Sequence, residues 1–222
     1  MFKIFINFKT YPQGTGEKAV ELAKVCRGIA ESEGVEVIPI IQAVDLRVIK
    51  EAVGGEVWVQ RIDPEPPGKF TGSLNLEAAI ETGANGTLIN HSENQVPPGT
   101  VKQIISAVKK RLNAKVRFET MVCCKTLGQM ERLIKFKPNF IAYEISELIG
   151  GEVSITDTNT KAIKHGVEIC GEIPLVVGAG INKAEDLKKA ESLGAKGVLI
   201  SSAVVLAEDP KEKLENLISL IK

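Results

Sequence analysis

The sequence predicts an α/β chain closed into one (β/α)8 barrel, and three features lead there. Short β-branched runs alternate with longer amphipathic stretches along all 222 residues, the signature of βα units around a parallel sheet. The runs read as strands number eight, and no linker rich in Pro, Gly or Ser divides them, so residues 1–222 are expected to form a single domain. Small and ionisable side chains gather just after these runs, where a barrel carries its working face. An open doubly wound sheet is the alternative for the same alternation.

The expected strands are Phe2 to Phe8, Val35 to Ile41, Val57 to Gln60, Gly86 to Asn90, Lys115 to Met121, Phe140 to Tyr143, Pro174 to Val177 and Gly197 to Ile200. Between them, apolar residues recur at helical spacing over Glu17 to Glu33, Val101 to Leu112, Leu127 to Ile134, Asp157 to Ile169, Ala184 to Leu193 and Pro210 to Ile221. Thr100 ahead of Val101 and Asp209 ahead of Pro210 offer a capping oxygen at a first turn. Asp45 to Ala52 and Leu74 to Ala79 are thinner and predict short helices. Eight units in 222 residues leave about 28 each, near the lower bound for a barrel whose usual length is about 250. Trimmed helices and loops follow.

Composition narrows the partner. Twenty-eight basic and 28 acidic side chains cancel to zero net charge, with 44% hydrophobic and 25% charged residues. That is a globular profile with no electrostatic footprint for nucleic acid or an anionic membrane, so a small molecule is the expected partner. Cys26, Cys123, Cys124 and Cys170 have neither zinc-ligand nor C-x-x-C spacing and read as buried thiols of a reducing compartment. The N-terminus runs straight into a strand pattern rather than a signal peptide, and no stretch reaches about 18 apolar residues. A cytoplasmic location is expected.

Period two puts Asn7 and Lys9 on one side at the end of the first strand. A lysine pointing inward there is costly unless it meets an anion; the alternative is a strand end fraying into solvent. His91, one of two histidines, follows an apolar run and is placed to act as electrophile or proton carrier, with Glu93 able to reach Lys9 across the mouth. A hydrogen-bonded structural histidine is the competing reading. His165, late in a helix ahead of Gly166, reads as a charged C-terminal cap. Glu144 leaves an apolar strand as a candidate general base. Residues 145–151 after it, ending Gly150-Gly151, read as a lid with a flexible hinge. Glu147 competes with it, and either could be a solvated loop carboxylate. Gly178-Ala179-Gly180 and Ser201-Ser202-Ala203 end the seventh and eighth strands, where small residues let backbone amides approach an anion. Together they point to a phosphorylated ligand.

In chain order, Asn7-Phe8-Lys9-Thr10-Tyr11, Phe70-Thr71-Gly72, Asn90-His91-Ser92-Glu93, Ala142-Tyr143-Glu144, Glu147-Leu148-Ile149-Gly150, Gly178-Ala179-Gly180-Ile181 and Gly197-Val198-Leu199-Ile200 resemble the triosephosphate isomerase family, most closely its short archaeal-type branch. The family is itself a standard worked example of pKa tuning, and the roles that follow are what the resemblance implies. It implies a TIM barrel that interconverts dihydroxyacetone phosphate and D-glyceraldehyde 3-phosphate through an enediolate. Glu144 is then the base, His91 the neutral imidazole that polarises the carbonyl, and Lys9 with Asn7 stabilises the enediolate and substrate. Glu93 matches the acid that follows the histidine, and the amides of Gly150, Gly180, Ser201 and Ser202 hold the phosphate. No metal or organic cofactor is implied. Thr71 matches a loop tip that reaches a neighbouring subunit, which implies a homodimer or homotetramer.

Departures from the pattern carry their own expectations. Ile145-Ser146 stands where the archaeal pattern has Pro-Pro, and Gly150-Gly151-Glu152 implies a lid about two residues shorter. Losing a hinge proline raises the entropy of ordering by about 1 kcal/mol. Ala203 replaces a glycine, which opens the phosphate cradle if φ must be positive there. Asn94 replaces an arginine, and Arg61-Ile62-Asp63 precedes an atypical Gly68-Lys69-Phe70. Two other functions remain: a barrel that binds triose phosphate with impaired turnover, and another sugar-phosphate enzyme using the same cradle.

Overall fold

The computed structural model describes residues 2–113, 116–145, 148, 151 and 154–221. Eight parallel strands close into a barrel in chain order: β1 (Lys3–Asn7), β2 (Glu36–Ile41), β3 (Trp58–Val59), β4 (Gly86–Ile89), β5 (Glu119–Cys124), β6 (Phe140–Glu144), β7 (Leu175–Gly178) and β8 (Gly197–Ile200). Pairing of β8 with β1, Lys3 opposite Gly197, seals the cylinder and excludes the open sheet. The longer helices between the strands are α1 (Gly16–Glu33), α2 (Leu46–Val53), α3 (Leu76–Glu81), α4 (Pro98–Arg111) and α5 (Leu127–Leu133). They continue with α6 (Ile155–Thr158), α7 (Thr160–Cys170), α8 (Ala184–Ser192), α9 (Ser202–Val205) and α10 (Pro210–Ile218). The two thin intervals are the short helices α2 and α3.

Two apolar layers hold the cylinder. Strand residues facing outward pack with the helices, and those facing inward fill the lumen. Phe5, Trp58 and Phe140 meet edge to face inside, with ring centroids 5.1, 5.6 and 6.0 Å apart. Trp58 and Phe140 open their strands, so the rings close the end of the barrel away from the strand C-termini. Gly86 makes room for them: a Cβ there would lie 2.4 Å from the Trp58 ring. All four cysteines are free and buried.

The fifth strand is displaced from its expected place. It begins at Glu119, four residues after Lys115, and runs on through Cys124; Lys115 lies outside the described residues. The alternation from Lys115 to Met121 imitates a half-exposed strand. The true strand is buried at every position after Glu119 because a barrel strand is covered on both faces. Helix α4 starts at Pro98 and not after Thr100, since Pro98 presets the first-turn φ and Pro97 is held extended ahead of it (φ −56, ψ 146). The stretch from Asp157 to Ile169 is broken at Asn159 (φ −127, ψ 32) into α6 and α7. His165 lies inside α7, which ends at Gly171 and not at Gly166, so it caps nothing. Gly166 is there for packing: a Cβ would meet the Met130 methyl at 3.1 Å.

Asp209 does cap α10. Its carboxylate accepts the N–H groups of Lys211 at 2.9 Å and Glu212 at 3.0 Å. Asp209→Ala is expected to lower the unfolding free energy by about 1 kcal/mol. A urea titration with unchanged slope would register the loss as an earlier midpoint.

Candidate active site

The strand C-termini converge on a cleft of about 440 Å³, counting its open mouth. Asn7, Lys9, His91 and Glu144 line it, facing residues 179–182 and 199–203 across it.

Asn7 ends β1 with 4% exposure. Its Oδ1 accepts the Lys9 N–H at 3.1 Å, and Gln60 Nε2 donates to the Lys9 carbonyl at 2.8 Å. These bonds hold Lys9 at φ 50, a conformation that costs a non-glycine residue of the order of 1–2 kcal/mol. Lys9 Nζ lies 2.5 Å from Glu93 Oε1.

A second left-handed residue follows β4. Asn90, at φ 63, accepts the Val96 N–H at 3.0 Å and donates to the Cys123 carbonyl at 2.9 Å. The turn delivers His91 into the cleft. The Glu93 N–H donates to His91 Nδ1 at 3.3 Å, so Nδ1 carries the lone pair and Nε2 the proton. That Nε2 is 3.5 Å from Glu144 Oε2. A neutral imidazole therefore presents an N–H donor to the cleft.

Glu144 ends β6 with 5% exposure, and its Oε2 has no hydrogen-bond partner among the described residues. Burial pushes its carboxyl above the usual carboxylate range. His91, Lys9 and a hydrogen bond from the Cys123 thiol pull the other way, and Glu93 adds a small upward push. Burial, with Glu144 nearby, drives the Cys123 thiol well up, so it remains a donor. Beside the carboxylate, Gly178 leaves space that a Cβ would fill, 2.8 Å from Oε1.

The opposite wall is built from turns. Ala179 and Gly180 follow β7 at φ 80 and φ 68. Ser201 and Ser202 open α9, and Ser201 Oγ is buried without a partner among the described residues. Ala203 lies within α9 and is not among the positive-φ residues. The concern that it opens the cradle is misplaced; the strained position is Ala179.

The cleft thus gathers Asn7, Lys9, His91, Glu144, Gly180, Ser201 and Ser202. Glu93 stands on the rim with its side chain 54% exposed and touches the site through Lys9 and the His91 turn. Gly150, Ser146, Glu147 and Glu152 lie outside the described residues, and with them most of the expected lid. Among the described residues no group of three or more His, Cys, Asp or Glu could hold a metal ion. Sequence reading gave no supporting role to Gln60, Asn90 or Cys123, and it placed Gly178 in the phosphate cradle, not beside Glu144. Gly178 lies opposite Glu144 in register.

Fold and cleft define the class: a (β/α)8-barrel enzyme with acid–base side chains at its strand C-termini. The sequence profile described as Triosephosphate isomerase matches residues 2–221. A triosephosphate isomerase of Methanothermus fervidus is 38% identical over 220 residues, covering 97% of each chain. That of Methanocaldococcus jannaschii is 36% identical over 222 residues, covering 98% of this chain and 99% of its own length. The chain belongs to the triosephosphate isomerase family.

Proposed function

We propose that the chain, acting as one domain, interconverts dihydroxyacetone phosphate and D-glyceraldehyde 3-phosphate, with Glu144 as base. The observation that carries this reading is the 3.5 Å approach of His91 Nε2 to Glu144 Oε2, in one cleft with Lys9 and the amide-lined turns. Glu144 removes the C1 proton of the ketose, and the C–H electrons move into the C1–C2 bond as the C2 carbonyl becomes an oxyanion. The His91 Nε2–H passes to the C2 oxyanion while the C1 hydroxyl returns a proton to the imidazole. The C1–O bond becomes the aldehyde carbonyl as the C1–C2 π electrons take the proton back from Glu144 at C2. The Lys9 ammonium and the His91 Nε2–H stabilise the charge as it develops, the largest kind of contribution an active site makes. Asn7 fixes Lys9 through its backbone, and the amides of Gly180, Ser201 and Ser202 receive the phosphate. This is the isomerisation step shared by glycolysis and gluconeogenesis.

A glyceraldehyde-phosphate-dehydrogenase-coupled assay in deuterated water tests the proposal. Turnover with deuterium entering the product carbon supports it. Tight phosphoglycolate binding without turnover favours the impaired-binder reading instead. Because burial raises the Glu144 carboxyl, the acid limb of kcat/KM is expected above the ordinary range near pH 4.3. A profile flat down to pH 4 would remove Glu144 from the role.

A homodimer or homotetramer in the cytoplasm fits the family, with the exposed Thr71 loop as the arm toward a neighbour. Sedimentation at micromolar concentration separates these states from a monomer. No helix among the described residues is long and apolar enough to cross a membrane.

A further inference from the structure

One buried polar cluster lies behind the cleft and has no part in the chemistry above. Asp186, in the first turn of α8, is 5% exposed. Its Oδ2 accepts the N–H groups of Asn182 at 2.9 Å and Lys183 at 3.0 Å, which is the ordinary closing of a helix start. Its Oδ1 does something a helix start does not require. It accepts the hydroxyl of Thr156, 30 residues away on α6, at 3.2 Å. Thr156 is fully buried, and its hydroxyl is also 2.7 Å from Ser154 Oγ.

Parallel bonds join the same two segments. The Ile155 N–H donates to the Ala179 carbonyl at 3.2 Å. Asn182 Nδ2 reaches the Gly151 carbonyl at 3.3 Å and the Gly180 carbonyl at 3.2 Å. The turn fastened in this way contains Ala179 and Gly180, both left-handed, and such a turn holds its shape only where its surroundings over-determine it. A buried carboxylate is retained at a cost unless all its acceptor sites are used.

We propose that Asp186 and Thr156 are positioning residues. Their hydrogen bond locks residues 179–183 to residues 154–156 and keeps the Gly180 amide aimed at the phosphate. Phosphate affinity is thereby coupled to the start of α6. The inference deepens the isomerase reading and rests on its phosphate seat.

Thr156→Val is the discriminating variant, since it keeps the side-chain shape and leaves Asp186 on its two backbone amides. The KM for dihydroxyacetone phosphate and the Kd for phosphoglycolate are expected to rise together by about fivefold, with kcat within about twofold of wild type. Thr156→Ser, which restores the hydroxyl, is expected to recover wild-type values. A Thr156→Val protein with a lower melting temperature but unchanged KM and Kd would overturn the proposal and leave a purely structural bond. Should that variant not fold, Thr156→Ala removes the hydroxyl without replacing it, and the same paired rise in KM and Kd decides the matter. A wild-type protein that binds inorganic phosphate without turning over would end the isomerase reading. The effect of Thr156→Val on phosphate Kd would still judge this one.

Discussion

Glu144→Gln is expected to lower kcat/KM in the coupled assay by about 10²–10⁴, the usual contribution of a positioned base, and to raise the melting temperature at pH 7. Both effects have one origin. The carboxylate is buried, one oxygen has no hydrogen bond among the described residues, and its proton affinity is raised by that burial. The native state holds this proton more tightly than the unfolded chain does. The group's stabilising effect is therefore complete below the unfolded carboxylate range and is lost as pH rises through the elevated native value. Above the elevated native value the wild-type fold carries a buried charge that glutamine removes. The melting-temperature gap between mutant and wild type should shrink toward pH 4, where the wild-type carboxyl is protonated as well. Retention of more than about a tenth of wild-type activity would sink the assignment of the base. A mutant less stable than wild type at pH 7 would show that His91, Lys9 and Cys123 more than offset the cost of burial.

What the sequence made legible divides along a physical line. Groups that react were visible because their chemistry is odd for their position: Lys9 at an inward strand end, His91 and Glu144 after apolar runs. Groups that hold them were hidden. Gln60 reaches the Lys9 carbonyl from another strand, 51 residues on, and nothing local distinguishes a glutamine with that task from a solvated one. The left-handed turns at Lys9, Asn90 and Ala179 are imposed by tertiary hydrogen bonds on residues that have no intrinsic need for positive φ. Only Asn90 has a side chain known to tolerate it. The misplaced fifth strand has the same cause. Local alternation pointed to residues 115–121, while burial on both faces selected residues 119–124.

Gly178→Ala is expected to cost about 10² in kcat with little change in inorganic phosphate affinity, because it moves the base and leaves the phosphate amides in place. Gly178 lies opposite Glu144 in the strand register. An added Cβ would stand 2.8 Å from Oε1, 2.9 Å from Cγ and 3.1 Å from the Leu199 carbonyl. Its φ is not among the positive values, so alanine brings no backbone strain and the penalty is steric alone. The Leu199 carbonyl belongs to β8 and cannot retreat, whereas the carboxylate is the free end of a side chain and gives way. A displacement on the order of 1 Å at the reacting group is enough for a hundredfold loss, and overpacking should add about 1–3 kcal/mol of destabilisation. A double-mutant cycle with Glu144→Asp isolates the cause. Shortening the acid by one methylene withdraws the atoms that the new methyl strikes, so the stability cost of Gly178→Ala should fall when it is made on top of Glu144→Asp. Strict additivity would place the clash on Leu199 and not on the base. Unchanged kcat in Gly178→Ala would mean that Glu144 has another rotamer from which it reaches the substrate equally well.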